Sequence, residues 1–260
     1  MNYAIGLDIG GTKIAAGIVN SEGEILVKTK IPSLTETKET MYDQVVKAID
    51  SVLEDFEGAL AEIRGIGIGL PGKVDREQGI AVFQNNLPWK DFPLRERLKQ
   101  TYPEFKSAIE NDVGAAAYGE YFVNNITGDK VFTYVTLSTG VASSTIVDQR
   151  LLTGHGFSGE LGLIPVKSGL ENSKLIPLEK CTSGVAIEKY GRQHLGDPSL
   201  TTKDIFDLFY EGNEKSAMVI EQVAESLAYG FVSIISLLDP HEIIVGGSVA
   251  VHNPVLIELV

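Results

Sequence analysis

The chain has 260 residues, of which 43% are hydrophobic and 22% charged, with a formal net charge of −13. That balance describes a globular protein with enough chain for one large domain or two modest ones, and the excess of acid opposes non-specific binding to nucleic acid or anionic lipid. No basic segment followed by an apolar core opens the chain, no run approaches the roughly 20 apolar residues of a membrane span, and the single cysteine, Cys181, can close no intramolecular disulfide. These features point to the cytoplasm, with no membrane and no nucleic-acid partner.

Residues 3–9 alternate with Ile5, Leu7 and Ile9 on one face, and residues 14–19 repeat the pattern, so a β-hairpin is predicted with Asp8-Ile9-Gly10-Gly11-Thr12-Lys13 at its tip. Gly10 and Gly11 allow positive φ and let backbone N–H groups approach an anion. Thr12 and Lys13 add donors, while Asp8 tolerates a phosphate only with Mg²⁺ or its water shell between them. Asn20-Ser21-Glu22-Gly23 turns the chain into a third strand at 24–31. Residues 39–57 place Met41, Val45, Val46, Ile49, Val52, Leu53 and Phe56 at helical spacing, and 63–69 returns as a buried strand that ends in Pro71-Gly72.

A short helix at 94–99 and a strand at 106–109 come next. The order then restarts with a helix at 113–123, strands at 131–138 and 142–147, a glycine-rich loop at 153–162 and helices after 182. A long apolar helix at 215–238 leads through Asp239-Pro240 into a strand at 242–245 and Gly246-Gly247. Two α/β halves that each open with paired strands and a glycine turn predict a duplicated fold, with domains at 1–110 and 111–260 and a cleft between them. Asp112 follows a strand and starts a helix, where free backbone N–H groups and the helix dipole favour an ionised carboxylate ready to accept a proton.

Several of these segments, in order, resemble the bacterial ROK group of sugar kinases and sugar-responsive repressors, within the actin-like ATPase superfamily. DIGGTK at 8–13 is similar to its first phosphate motif, GLPGKVD at 69–75 to its sugar-domain turn and NNLPW at 85–89 to its sugar loop. ENDVGAAAYGE at 110–120 resembles the segment with the catalytic aspartate, and TLSTGVASS at 136–144 the second phosphate motif. GELGLIPV from 160 and LEKCTSG from 178 resemble the later sugar-binding segment, and DPHEIIVGGSV at 239–249 the adenosine motif.

The resemblance implies two actin-like, ribonuclease H-like α/β domains and transfer of the γ-phosphoryl group of Mg-ATP to a hexose-type sugar, glucose favoured. The alternative it carries is a non-catalytic sugar-binding or regulatory relative. Asp112 would be the base. Gly72, Asn86, Asn111, Glu160 and Glu179 would hold the sugar. Asp8, Gly10, Gly11, Thr12, Lys13, Thr139 and Gly140 would hold the phosphates, with Gly246 and Gly247 beside adenosine and Asp8 acting on Mg²⁺ through water.

A homodimer is implied as well, together with further helices beyond residue 260. Leu163 stands where the resemblance calls for a histidine, and the accompanying cysteines are missing, so no zinc site is expected. Val141 and Ala142 stand where the second phosphate motif is richer in glycine, an expected stiffening of that turn.

Overall fold

The computed structural model describes residues 2–155 and 157–260. Two compact units divide the chain, one running to Asn125 and the other Ile126–Val260.

The first unit is built on β1 (Tyr3–Ile9), β2 (Lys13–Asn20), β3 (Ile25–Pro32), α1 (Lys38–Glu54) and β4 (Ile63–Leu70). It continues with β5 (Lys73–Asp75), β6 (Ile80–Phe83), β7 (Lys90–Phe92), α2 (Leu94–Thr101), β8 (Lys106–Asn111) and α3 (Asp112–Val123). The period-2 pattern of β1 and β2 buries Ile5, Leu7, Ile9, Ile14, Ala16 and Ile18 on one face of the sheet. Helix α1 starts at Thr37, whose hydroxyl accepts from Thr40 N, and lays Met41, Val45, Ala48, Ile49 and Val52 on that face. Each of the larger of these side chains, the valines, isoleucines, leucine and methionine, contributes about 1.5–3 kcal/mol on burial.

The sheet order is β3-β2-β1-β4-β8, antiparallel through β3, β2 and β1 and parallel through β1, β4 and β8. Its register is what positions the site: Asp8 pairs with Gly69, Gly69 with Glu110 and Leu70 with Asn111. The carboxyl ends of three parallel strands therefore finish side by side, the place where α/β sheets bind ligands.

The second unit repeats the theme with β9 (Phe132–Leu137), β10 (Val141–Val147), β11 (Arg150–Leu151), β12 (Pro165–Ser168) and β13 (Lys174–Pro177). Helices α4 (Glu179–Thr182), α5 (Gly184–Leu195), α6 (Thr202–Tyr210) and α7 (Glu214–Leu238) follow, then β14 (Glu242–Gly246), α8 (Ser248–His252) and α9 (Val255–Glu258). Its sheet order is β11-β10-β9-β14, a hairpin extended by the parallel strand β14. This is the arrangement of β2, β1 and β4 again, so the predicted duplication is present. A second core gathers Val135, Leu137, Ile187, Phe206, Val219, Ile220, Val223 and Leu227.

Three features differ from the sequence reading. The units divide after Asn125 rather than near residue 110, because α3 packs against β4 and β8 and so belongs to the first unit. The hairpins β5-β6-β7 and β12-β13 went unpredicted, being strands of only three or four residues with no resolvable period. Among the described residues one helix, α7, is long and apolar enough to cross a membrane; Val219, Ile220, Val223, Ala224, Leu227 and Ile234 on it are buried in the second core, which accounts for its composition.

Candidate active site

The β1–β2 turn is a short loop closed by Gly10 N donating to Lys13 O at 2.9 Å. Ser33 braces it from the end of β3: its hydroxyl donates to Gly10 O at 2.6 Å and its N–H to Thr12 O at 3.1 Å. Neither Gly10 nor Gly11 uses the positive φ open to a glycine. Close approach is the reason for Gly11: a Cβ there would lie 2.7 Å from Asn86 Cβ and 2.8 Å from Asn86 O. The structure thus brings the predicted sugar loop against the predicted phosphate turn, and Thr12, Lys13 and Asp8 stand exposed beside it.

Asn111 caps α3, its side-chain oxygen accepting from Val113 N at 3.0 Å while its Nδ2 donates to Gly72 O at 3.0 Å. Gly72 needs to be glycine, with φ 80° and the backbone of Phe83 pressed against the space a Cβ would fill. Gln84, buried just before Asn86, ties the same region by donating to Lys73 O at 3.0 Å, and its Oε1 has no partner. Neither Ser33 nor Gln84 was singled out in the sequence, since a lone serine and a lone glutamine carry no pattern.

Asp112 is the first residue of α3, with Oδ1 accepting from Val113 N at 2.9 Å. Its pKa is raised rather than lowered: burial is the largest cause and the charge of Asp8 adds to it, outweighing the backbone N–H bonds that pull the other way. The helix start is as read, but the ready ionisation inferred from it is not. Asp8 in β1 and Asp112 at the start of α3 are near enough for the charge of one to raise the pKa of the other, an arrangement that wants a cation or a proton.

In the second unit the β9–β10 turn, Ser138 to Gly140, is held by Ser138 N donating to Gly140 O at 2.9 Å and Gly184 N to Ser138 O at 2.8 Å. Glu179 Oε2 accepts from Val141 N at 3.0 Å, and a Cβ on Gly140 would lie 2.7 Å from that oxygen. Glu179, predicted as a sugar contact, thus braces the predicted phosphate turn with one oxygen. Val141 and Ala142 are not in the turn: they pair with Leu137 and Thr136 in the β10–β9 ladder, so their side chains do not stiffen it.

Gly246 and Gly247 connect β14 to α8. Gly247 has φ 87°, with the backbone of Leu137 filling its Cβ position. A cavity of about 640 Å³ opens beside them, lined by Ser138, Thr139, Gly184, Thr202, Lys203, Tyr210, Ser248 and Asn253 among others. That volume suits a nucleoside-sized ligand. Thr202 and Lys203 were missed, although the Thr201 to Asp204 capping box that places them is a readable helix-start signal.

The residues expected to form the site therefore fall into two sets. Asp8, Gly10 to Lys13, Gly72, Asn86, Asn111 and Asp112 lie in the first unit, and Thr139, Gly140, Glu160, Glu179, Gly246 and Gly247 in the second. Glu160 is exposed, immediately before a 3₁₀ turn at Leu161–Leu163. Among the described residues no three or more His, Cys, Asp or Glu side chains are grouped to hold a metal ion.

Two actin-like α/β units with glycine turns at the strand ends define a sugar-kinase type of architecture. The ROK family model matches residues 4–260, and the chain belongs to that family. It is 32% identical to a glucokinase of Streptomyces coelicolor over 99% of this chain and 86% of the relative, and 27% identical to an N-acetyl-D-glucosamine kinase of Salmonella newport over 98% and 86%. Among solved structures, a ROK family glucokinase from Streptomyces griseus in complex with glucose and AMPPNP is similar with a TM-score of 0.79 and 29% identity, over 99% of this chain and 87% of that one.

Proposed function

We propose that this chain is an ATP-dependent carbohydrate kinase that transfers the γ-phosphoryl group of Mg-ATP to a hydroxyl of a hexose-type sugar, with glucose the favoured acceptor. The observation that carries it is Asp112, a half-buried carboxylate of raised pKa at the start of α3, just past the end of a parallel strand, preceded by Asn111 and tethered through it to Gly72. The acceptor hydroxyl donates to Asp112. As its oxygen forms the new bond to phosphorus, the proton passes to the carboxylate and the bond to ADP breaks, a reaction governed mainly by positioning and charge. A raised pKa makes the ionised form the stronger base.

Asn86, Asn111, the backbone at Gly72, Glu160 and Glu179 supply donors and acceptors for the sugar hydroxyls. Gly10, Gly11, Thr12 and Lys13, with Thr139 and Gly140, take the phosphates, and adenosine lies beside Gly246 and Gly247 in the 640 Å³ cavity. The exposed Asp8, whose charge is felt by the Asp112 carboxyl, fits a hydrated cation; Mg²⁺ held there through water would offset phosphate charge. The glucokinase and N-acetylglucosamine kinase relatives support a hexose acceptor. Cytoplasmic location, a homodimer and the absence of structural zinc complete the proposal, the last because buried Cys181 is the chain's lone thiol.

The test is ADP release with Mg-ATP and a panel containing glucose, N-acetylglucosamine, N-acetylmannosamine and fructose, beside Asp112→Asn. Glucose turnover that falls about 10²–10⁴-fold in the variant is expected. Greater turnover with another hexose overturns the glucose assignment alone, and no turnover with any sugar overturns the kinase.

A further inference from the structure

Ahead of the Asn111–Asp112 pair stands a carboxylate that the chemistry above does not use. Glu110 Oε1 accepts from Asn111 N at 2.7 Å. Arg76, from the turn after β5, grips both of its oxygens, with Nε to Oε2 at 2.5 Å and Nη2 to Oε1 at 2.6 Å. The Glu110 side chain is only 16% exposed. Gly114, buried in the first turn of α3, completes the seat: a Cβ there would lie 3.0 Å from Glu110 Oε1 and 3.1 Å from its Cδ and Cγ. The carboxylate occupies the space a side chain at 114 would need.

The turn that carries Arg76 is fastened in its own right. Arg95 donates to Glu77 O at 2.7 Å, to Arg76 O at 2.5 Å and to Ser107 O in β8 at 3.2 Å. A guanidinium fork bound to two carboxylate oxygens fixes the carboxylate plane, which a single ammonium does not. One oxygen of that oriented group then fixes the amide of Asn111. An ion pair this near the surface adds little global stability, so its consequence is local.

We infer that Arg76 is a positioning residue for the Asn111–Asp112 segment, acting through Glu110, with Gly114 conserving the room this requires within the fold. The inference rests on Asp112 being the base, and Asp112→Asn tests that reading separately. In Arg76→Met, kcat is expected to fall about 10- to 100-fold and the KM for sugar to rise several-fold, while the KM for ATP stays at the wild-type value. Loss of folded protein alone would lower kcat and leave both KM values unchanged. Arg76→Lys restores only part of the loss, and the double variant Arg76→Met with Glu110→Gln is no worse than Arg76→Met, because both act through one carboxylate.

Wild-type kcat and sugar KM in Arg76→Met, with turnover in Asp112→Asn reduced as expected, overturn the positioning role and leave the base intact. Independent effects that multiply in the double variant overturn it too. If Asp112→Asn keeps wild-type turnover, it is the base reading that fails, and amide exchange at Asn111 then decides the clamp. Exchange at least tenfold faster in Arg76→Met supports it, and wild-type exchange overturns it.

Discussion

Asn111 does two separable jobs, and a three-member series can weigh them. Its side-chain oxygen caps α3 by accepting from Val113 N, and its Nδ2 tethers α3 to the Gly72 turn. Losing a cap of this type costs about 1 kcal/mol, and losing one net hydrogen bond costs about 1 kcal/mol. Asn111→Ala removes both and is expected to destabilise the first unit by about 2 kcal/mol. Asn111→Ser keeps a capping hydroxyl and loses only the tether, for about 1 kcal/mol.

The chain's single tryptophan reports on this unit alone. Trp89 is 1% exposed, stacks on Phe92 at 4.7 Å and donates to Lys38 O at 3.1 Å. With a urea m-value of about 2 kcal/mol/M, the fluorescence midpoint should fall by about 1 M in Asn111→Ala and about 0.5 M in Asn111→Ser. A serine variant as unstable as the alanine variant would show that the cap contributes nothing. One as stable as wild type would show the same of the tether.

Asp112 should reveal itself in the pH dependence of stability. A folded-state pKa raised above the unfolded value near 3.8 gives stability that is fully present below that value and lost as pH rises through the folded pKa. Asp112→Asn, which never ionises, is therefore expected to melt above wild type at pH 7 and to lose that advantage on acidification below pH 3.8; equal melting temperatures at pH 7 would refute the burial argument. Asp8→Asn should move the Asp112 carboxyl titration, followed by ¹³C NMR, to lower pH, and an unmoved titration would remove Asp8 as a cause. Gly247→Ala forces a Cβ onto the Leu137 backbone at positive φ; a loss of about 1–3 kcal/mol in thermal unfolding, with weaker binding of a fluorescent ATP analogue, is expected. Gly11→Ala should displace Asn86 and raise the KM for sugar, and an unchanged KM would detach the sugar loop from the phosphate turn.

Much of the fold is written locally. The alternation of Ile5, Leu7 and Ile9, the 3.6-residue spacing from Met41 to Val52 and the glycine turns at 10–11 and 246–247 specify strands, helices and their order without reference to distant residues. The start of α3 at Asp112 is legible for the same reason, because a cap is a matter of adjacent residues. What required the tertiary structure is whatever depends on proximity between segments far apart in the chain. Gly11 is needed because Asn86 packs on it, not because of its own φ. Arg76 meets Glu110 only because β4 and β8 run in parallel register.

The direction of the Asp112 pKa shift was misread from sequence because the helix start is local and visible, whereas burial and the nearby charge of Asp8 are properties of the folded sheet. Val141 and Ala142 looked like part of a turn until strand pairing placed them in the β9–β10 ladder. The sequence by itself determined the element order and the chemistry available at each turn, since both follow from periodicity and residue type. Only the tertiary structure decided which of those groups meet, because register and burial arise from pairing the whole chain at once.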